Sequence, residues 1–162
     1  RNKVQLPFGV VNGRAAVGFF RPGTHKVVSI TKCFLHDKWL EELIKIVLDF
    51  ANDNNISVYD ETAQTGLLRH IVARFIDNKL CLVLVVNGDS LPFYKKLIES
   101  LKLSFENFSL YLSINRKKTN VILGERLIAL RENKFVIDIM GVKARVHPLS
   151  FLQINDWSAP DF

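Results

Sequence analysis

The chain has few cysteines and no long apolar run. Its two cysteines, Cys33 and Cys81, are far apart in sequence, so we predict neither a disulfide framework nor a self-contained zinc site. No apolar segment approaches the roughly 20 residues that span a bilayer, and the opening residues RNKVQLPFG contain no apolar signal-peptide centre. We therefore expect a cytoplasmic protein without membrane contact. Because the sequence starts at Arg1 without Met, we also expect a piece of a longer protein.

Length and charge limit the classes of protein that fit. With 162 residues, 48% of them hydrophobic, the chain can bury one core, so one domain is expected. Twenty-two Lys and Arg against sixteen Asp and Glu give a net charge of +6. This balance favours a polyanionic partner such as a nucleic acid but does not identify one.

Strand-forming residues are concentrated in a few short segments. These segments are VVSI (27–30), LLRHIVARFI (67–76), KLCLVLVV (79–86), FSLYLSI (108–114) and FVIDIM (135–140). Asp77-Asn78 and Gly141 are each typical of a hairpin turn, and AAVGFF (15–20) is expected to pair with VVSI. Antiparallel pairing should therefore dominate.

Two segments carry apolar residues at helical spacing. One has Trp39, Leu43, Ile46, Val47 and Phe50 after an Asp37 cap; the other has Phe93, Leu97, Ile98 and Leu101 after Ser90-Leu91-Pro92. Each helix has one apolar face. The sequence therefore predicts an α+β fold, a mostly antiparallel sheet with two main helices packed on one face.

The segment 67–76 is basic as well as strand-forming. Strict alternation places His70 and Arg74 on one face and Arg69 on the other, so neither face is wholly apolar. One interpretation is an edge strand whose arginine stems lie over apolar neighbours. The other is that these three side chains contact phosphates.

A second basic segment follows the strand 108–114. Arg116, Lys117 and Lys118 precede Thr119 and Asn120, whose short polar side chains can bond to a phosphate or a ribose oxygen. From composition alone, a solvated hairpin tip is the more common explanation of such a segment.

Five strings in order resemble one enzyme family. They are RNKVQLPFG, GFFRPGTHKVVSITKC, SVYDETAQTGLLRHIVAR, INRKKTNVILGE and HPLSFLQIN. Together they resemble the RNA uridine-5-methyltransferases of the RumA and TrmA type, which use S-adenosylmethionine to methylate C5 of a uridine in ribosomal or transfer RNA. The resemblance covers nearly the whole chain.

The resemblance implies a position within that family. Residues 1–147 correspond to the central domain, and residues 148–162 to the start of the connection to a C-terminal Rossmann-like methyltransferase domain. The catalytic cysteine and the general base belong to that C-terminal domain, so we assign no catalytic residue here and expect the chain alone to be inactive. By the same resemblance Gln153 contacts S-adenosylmethionine and Phe151 lies near the target base. Without the rest of the pocket, we expect no bound cofactor.

RNA is the partner that the resemblance implies, with a lean towards 23S ribosomal RNA over transfer RNA and no DNA binding. It raises nine residues as contacts: Arg1, Lys3, Arg69, His70, Arg74, Lys118, Thr119, Asn120 and Phe151. Family targets are loops or bulges of folded RNA, which suits recognition of unstacked bases.

The two cysteines receive different interpretations. Cys33 falls where many family members carry one ligand of an iron-sulfur cluster, whereas the other three ligands lie upstream and are absent from this chain. Packing is the alternative role. A lone thiolate cannot hold such a cluster, so we expect the chain to purify colourless. Cys81, inside an apolar strand, is expected to be a buried packing residue.

One alternative comes from another functional class. A basic α+β domain could bind RNA as a stand-alone module without any part in methyl transfer. Flanking sequence separates the two hypotheses, because only a methyltransferase needs a cofactor-binding domain downstream.

Overall fold

The computed structural model describes residues 2–31, 38–139 and 141–148. The elements are β1 (Lys3–Val11), β2 (Arg14–Phe20), β3 (Val27–Ser29), α1 (Lys38–Asp53), β4 (Leu68–Ile76), β5 (Lys79–Val86), α2 (Tyr94–Ser104), β6 (Asn107–Ile114), β7 (Arg126–Arg131), β8 (Val136–Ile139) and β9 (Val142–Arg145). Seven strands form one sheet in the order β3-β2-β1-β4-β5-β6-β7, and β8 and β9 form a separate hairpin.

The sheet is mostly antiparallel, as predicted. The exception is β5 with β6, which run parallel and are connected through α2. A parallel pair needs such a crossover, because a tight turn can join only antiparallel neighbours. The predicted α+β class is confirmed, and the parallel pair is an addition that the sequence did not reveal.

The three predicted hairpins are confirmed. Asp77 and Asn78 both have positive φ, 50° and 56°, the combination that suits the right-handed twist of the two strands they join. Gly141 has φ 85° in the turn between β8 and β9. β2 pairs antiparallel with β3 over Gly18–Phe20.

The helices confirm most of the predicted apolar faces. All five residues predicted for the first helix are buried in α1. In α2, Leu97 and Leu101 are buried, but Phe93 is not part of the buried face: it precedes the helix with φ 58° and is 55% exposed. The Asp37 cap lies outside the described residues.

The sheet separates two apolar clusters. Leu82 and Leu84 pack with the helices, whereas Cys81, Val83 and Val85 pack with residues of the β8–β9 segment. Since successive strand residues point to opposite faces, the helices cover one face and the β8–β9 hairpin covers part of the other. Cys81 is buried as expected of a packing residue.

The edge-strand interpretation of 67–76 is wrong. β4 lies between β1 and β5, inside the sheet, and Arg69, His70 and Arg74 are all buried. Strand β1 was not among the predicted strands, and it contains Pro7, which cannot donate to a ladder. Pro7 is tolerated where β1 stops pairing with β4 and Phe8 starts pairing with β2.

Candidate nucleic-acid interface

A buried asparagine anchors the basic loop that follows β6. The side-chain nitrogen of Asn115 donates to the carbonyls of Val121 and Ile122 at 2.6 and 2.9 Å, and its Oδ1 accepts from the amide of Lys117 at 3.0 Å. Asn115 is 2% exposed. Its side chain therefore ties the two arms of the loop together and fixes the position of the residues between them.

Arg69 holds the same loop from the sheet. Its Nη1 donates to the carbonyl oxygens of Asn115 and Lys117 at 2.9 and 2.8 Å, and its Nη2 to Glu61 at 3.3 Å. The guanidinium also lies 4.5 Å from the ring centre of Tyr59. The Arg69 side chain is only 2% exposed. Its three hydrogen bonds join the loop 115–122 to the segment 57–66.

A β-bulge brings Arg69 and His70 to one side of the sheet. Leu68 faces Val86 but His70 faces Val85, so Arg69 is an extra residue in β4. The extra residue of a bulge interrupts the alternation of side chains between the two faces of the sheet. Strict alternation separated these two residues, whereas the bulge lets both line the same cleft.

The segment 57–66 forms the second wall of that cleft in a tightly bonded turn. Asp60 Oδ1 accepts from the amides of Thr62 and Ala63 at 2.7 and 2.8 Å. Gly66 has φ 102°, and a Cβ there would lie 2.0 Å from the carbonyl oxygen of Val58. Only glycine fits this close approach, so the turn has a defined shape.

The cleft combines residues that are distant in sequence. It has a volume of about 490 Å³ and merges with a neighbouring space of about 600 Å³. Its walls come from the β2–β3 turn, the segment 57–66, the start of β4 and the basic loop. The lining residues are Phe20, Thr24, His25, Tyr59, Glu61, Gln64, Arg69, His70, Lys118, Thr119, Asn120, Val121 and Ile122.

Charge pairing leaves one lysine of the basic loop available to a ligand. Arg116 pairs with Asp89 and Lys117 with Glu125, and the Lys117 contact lowers the pKa of the Glu125 carboxyl. Across the described part of the chain, Lys118 makes no ion pair and is exposed. It is therefore the cation of this loop best placed to meet an anion in the cleft.

His70 is neutral at pH 7. Burial, and then the positive charge of Arg69, lower its pKa to about 4. Its Nδ1 is buried and makes no hydrogen bond within residues 2–31, 38–139 and 141–148. Burying a polar atom without a partner destabilises a fold, and such costs concentrate at functional sites.

The predicted RNA contacts fall into separate groups. Arg69, His70, Lys118, Thr119 and Asn120 line the cleft. Lys3 and Arg74 face each other across β1 and β4, four residues along β4 from His70, or about 13 Å at strand rise. Burial lowers the pKa of the Lys3 ammonium, and the positive charge of Arg74 lowers it further. They do not line this cleft.

The remaining candidates, Arg1, Cys33, Phe151 and Gln153, lie outside the described residues, so their roles stay predictions. Direct phosphate contact by the cleft residues also stays a prediction. Sequence analysis missed Asn115, Tyr59 and Glu61 as parts of the site. A polar residue directly after an apolar strand was the available signal for Asn115, but its bonds depend on how the loop folds back.

In the described ranges no group of three His, Cys, Asp or Glu side chains is placed to hold a metal ion. No helix there is long and apolar enough to cross a membrane.

Comparison with known proteins supplies the relatives of this architecture. Uncharacterized RNA methyltransferases from Clostridium tetani and Clostridium acetobutylicum are each 38% identical over 159 residues, 96% of this chain. The crystal structure of a Pyrococcus abyssi tRNA (uracil-54, C5)-methyltransferase in complex with S-adenosyl-L-homocysteine matches 99% of the chain with a TM-score of 0.78 and 27% identity. Over nearly its whole length the chain is therefore similar to one segment of RNA methyltransferases. No protein-family model matches it.

The match covers only part of those relatives. The chain spans 35% of the length of both clostridial RNA methyltransferases and 38% of the Pyrococcus abyssi chain. What these larger proteins do as wholes is therefore not a property of the described residues alone.

Proposed function

We propose that this chain is the central part of an S-adenosylmethionine-dependent RNA (uracil-C5)-methyltransferase and that its contribution is to bind RNA at the edge of the active site. Residues 1–147 would form the central domain and residues 148–162 the start of the link to the methyltransferase domain. The observation that carries the proposal is the cleft that Lys118, Thr119 and Asn120 line together with the start of β4.

The chemistry of the cleft suits a nucleic-acid backbone. Lys118 offers an ammonium that makes no ion pair with the described residues, and Thr119 and Asn120 offer donors at the exposed end of the loop. Phosphate contacts of this kind position an RNA without reading its sequence. Arg69 has a different role in this proposal: because its guanidinium bonds inward to the loop, it positions Lys118 rather than touching the RNA.

The proposed target is a loop of folded RNA, with 23S ribosomal RNA favoured by the likeness of KKTNVILGE and HPLSFLQIN to enzymes acting there. The solved relative is named for transfer RNA, so transfer RNA is the alternative. Incubating the complete protein and S-adenosylmethionine with each RNA, followed by nucleoside mass spectrometry, distinguishes the two. 5-Methyluridine in neither RNA would contradict the enzymatic proposal.

The cofactor assignments extend this proposal to the complete protein. S-adenosylmethionine would supply the methyl group, with Gln153 among its contacts, and Cys33 would ligate an iron-sulfur cluster together with upstream cysteines. We also propose that the protein is cytoplasmic, where its RNA substrates are. Iron analysis of the complete protein and of Cys33→Ser tests the cluster; an unchanged iron content would remove Cys33 as a ligand.

RNA binding by the chain itself is tested through its salt dependence. Each phosphate contact with single-stranded RNA contributes about 0.7 to the slope of log K against log salt. Lys118→Ala should lower the slope by about that amount, whereas Lys95→Ala, at an exposed position on α2, serves as the matched control. Equal slopes for the two variants would show that Lys118 is a solvated surface residue that contacts no phosphate.

A further inference from the structure

The β2–β3 turn places two aromatic rings in the lining of the cleft that the basic loop also lines. Phe20 and His25 both line the cleft and the space that adjoins it. Their ring centres are 5.9 Å apart and their planes are 82° apart. Phe20 is 39% exposed, and since the rings meet edge to face, part of the exposed ring is open to a flat ligand.

The turn that carries these rings is held by its own hydrogen bonds. The amide of Arg21 donates to the carbonyl of Lys26 at 2.8 Å, and the amide of Thr24 to the carbonyl of Arg21 at 2.9 Å. The Thr24 hydroxyl donates to the same carbonyl at 2.9 Å and accepts from the Lys26 amide at 3.2 Å. A preformed turn loses little conformational freedom on binding, which favours affinity.

Exposure alone does not explain the position of Phe20 in the lining of the cleft. Phe19 is more exposed than Phe20, at 53% against 39%, yet it lines neither part of the cleft. Successive strand residues point to opposite faces, so Phe19 lies on the other side of the hairpin. Of these two adjacent phenylalanines, Phe20 alone lines the cleft that Lys118 also lines.

The placement of charge and aromatic surface matches one nucleotide with its phosphate. Lys118, Phe20 and His25 come from separate segments that line the same cleft, so the lysine can hold a phosphate while the rings accept a base of the same RNA. Bases stack on aromatic side chains in proteins that bind single-stranded RNA, and every base has a face that can stack.

We propose that Phe20 and His25 form a stacking subsite for one unstacked base of the RNA, next to the phosphate held by Lys118. The inference rests on the proposed RNA-binding function of the cleft and adds to it the class of group bound at this wall, an uncharged nucleobase in a single-stranded region. Because stacking neutralises no phosphate, this subsite should contribute to affinity without contributing to the salt slope.

The test compares Phe20→Ala with Phe19→Ala in the full chain. The probe is a short single-stranded oligoribonucleotide with one 2-aminopurine, whose fluorescence falls when the base stacks. Phe20→Ala should bind it about 5- to 150-fold more weakly, the range given by alanine substitution of stacking aromatics, with an unchanged salt slope and reduced quenching at saturation. Phe20→Tyr should restore both, and Phe19→Ala should resemble the unmodified chain.

The outcomes separate this inference from the function on which it rests. Tight, salt-dependent binding that Phe20→Ala leaves unchanged in affinity and quenching would overturn the stacking subsite and keep RNA binding. No salt-dependent binding by the unmodified chain would overturn both. Equal losses in the two alanine variants would also overturn the inference, because they would show a general effect on the hairpin.

Discussion

Replacing Asn115 with Ala should loosen the basic loop and weaken the fold by a measurable amount. The side chain makes three hydrogen bonds that join the two arms of the loop. At about 0.5–1.5 kcal/mol each, their loss would cost about 1.5–4.5 kcal/mol if they were additive. The exposed loop can turn its freed carbonyls to water, so we expect about 2 kcal/mol. Urea unfolding followed by circular dichroism measures this change.

Asn120→Ala is the matched control in the same loop. Asn120 is exposed, so its replacement should leave the free energy of unfolding within about 0.5 kcal/mol of the unmodified chain. Hydrogen exchange gives a local readout, because the Lys117 amide donates to Asn115 Oδ1 and should exchange faster in Asn115→Ala. Unchanged stability together with unchanged protection of that amide would refute the role of Asn115 as the anchor of the loop.

Three further predictions concern the stability of the fold, its pH dependence and the binding of RNA. Gly66→Ala should destabilise the chain by more than about 1 kcal/mol, against roughly 0.5 kcal/mol for an ordinary surface change, because a Cβ would lie 2.0 Å from the Val58 carbonyl oxygen; equal urea midpoints would contradict this. The pKa of His70 is about 4 in the fold against 6.5 in an unfolded chain, so the unfolded state binds the extra proton and stability should fall as pH drops from about 6.5 to 4, by about 3 kcal/mol in total. His70→Gln should remove that part of the pH dependence, and parallel curves for the two proteins would refute it. In a double-mutant cycle, Arg69→Met should suppress the effect of Lys118→Ala on RNA affinity if Arg69 acts by positioning; additive effects, with folding verified by circular dichroism, would favour a direct phosphate contact by Arg69.

Local signals in the sequence predicted the local structure. The turn at Asp77-Asn78 follows from the backbone preferences of those two residues, and the buried face of α1 follows from the spacing of its apolar residues. Both depend on neighbours along the chain. The predicted antiparallel sheet with helices on one face is largely a consequence of such hairpins and of the amphipathic segments between them.

Non-local pairing explains what the sequence did not predict. Basic residues in 67–76 allowed an edge strand as one of two interpretations, but β4 is central because β1, from the start of the chain, pairs with it. The bulge at Arg69 exists only in relation to the facing strand β5, so no pattern within β4 could indicate it. Period-two alternation therefore assigned Arg69 and His70 to opposite faces, although both line the cleft.

Arg69 is buried and Lys118 is exposed, so the two cations have different roles. Arginine's planar fork can donate to two carbonyls and a carboxylate at once, and Arg69 does so between two loops. A lysine carries a compact charge on a flexible stem, which suits a phosphate whose position varies. Mutation of the buried cation should therefore change stability and loop geometry first and RNA affinity as a consequence. Mutation of the exposed one should change the salt-dependent affinity and leave the fold intact.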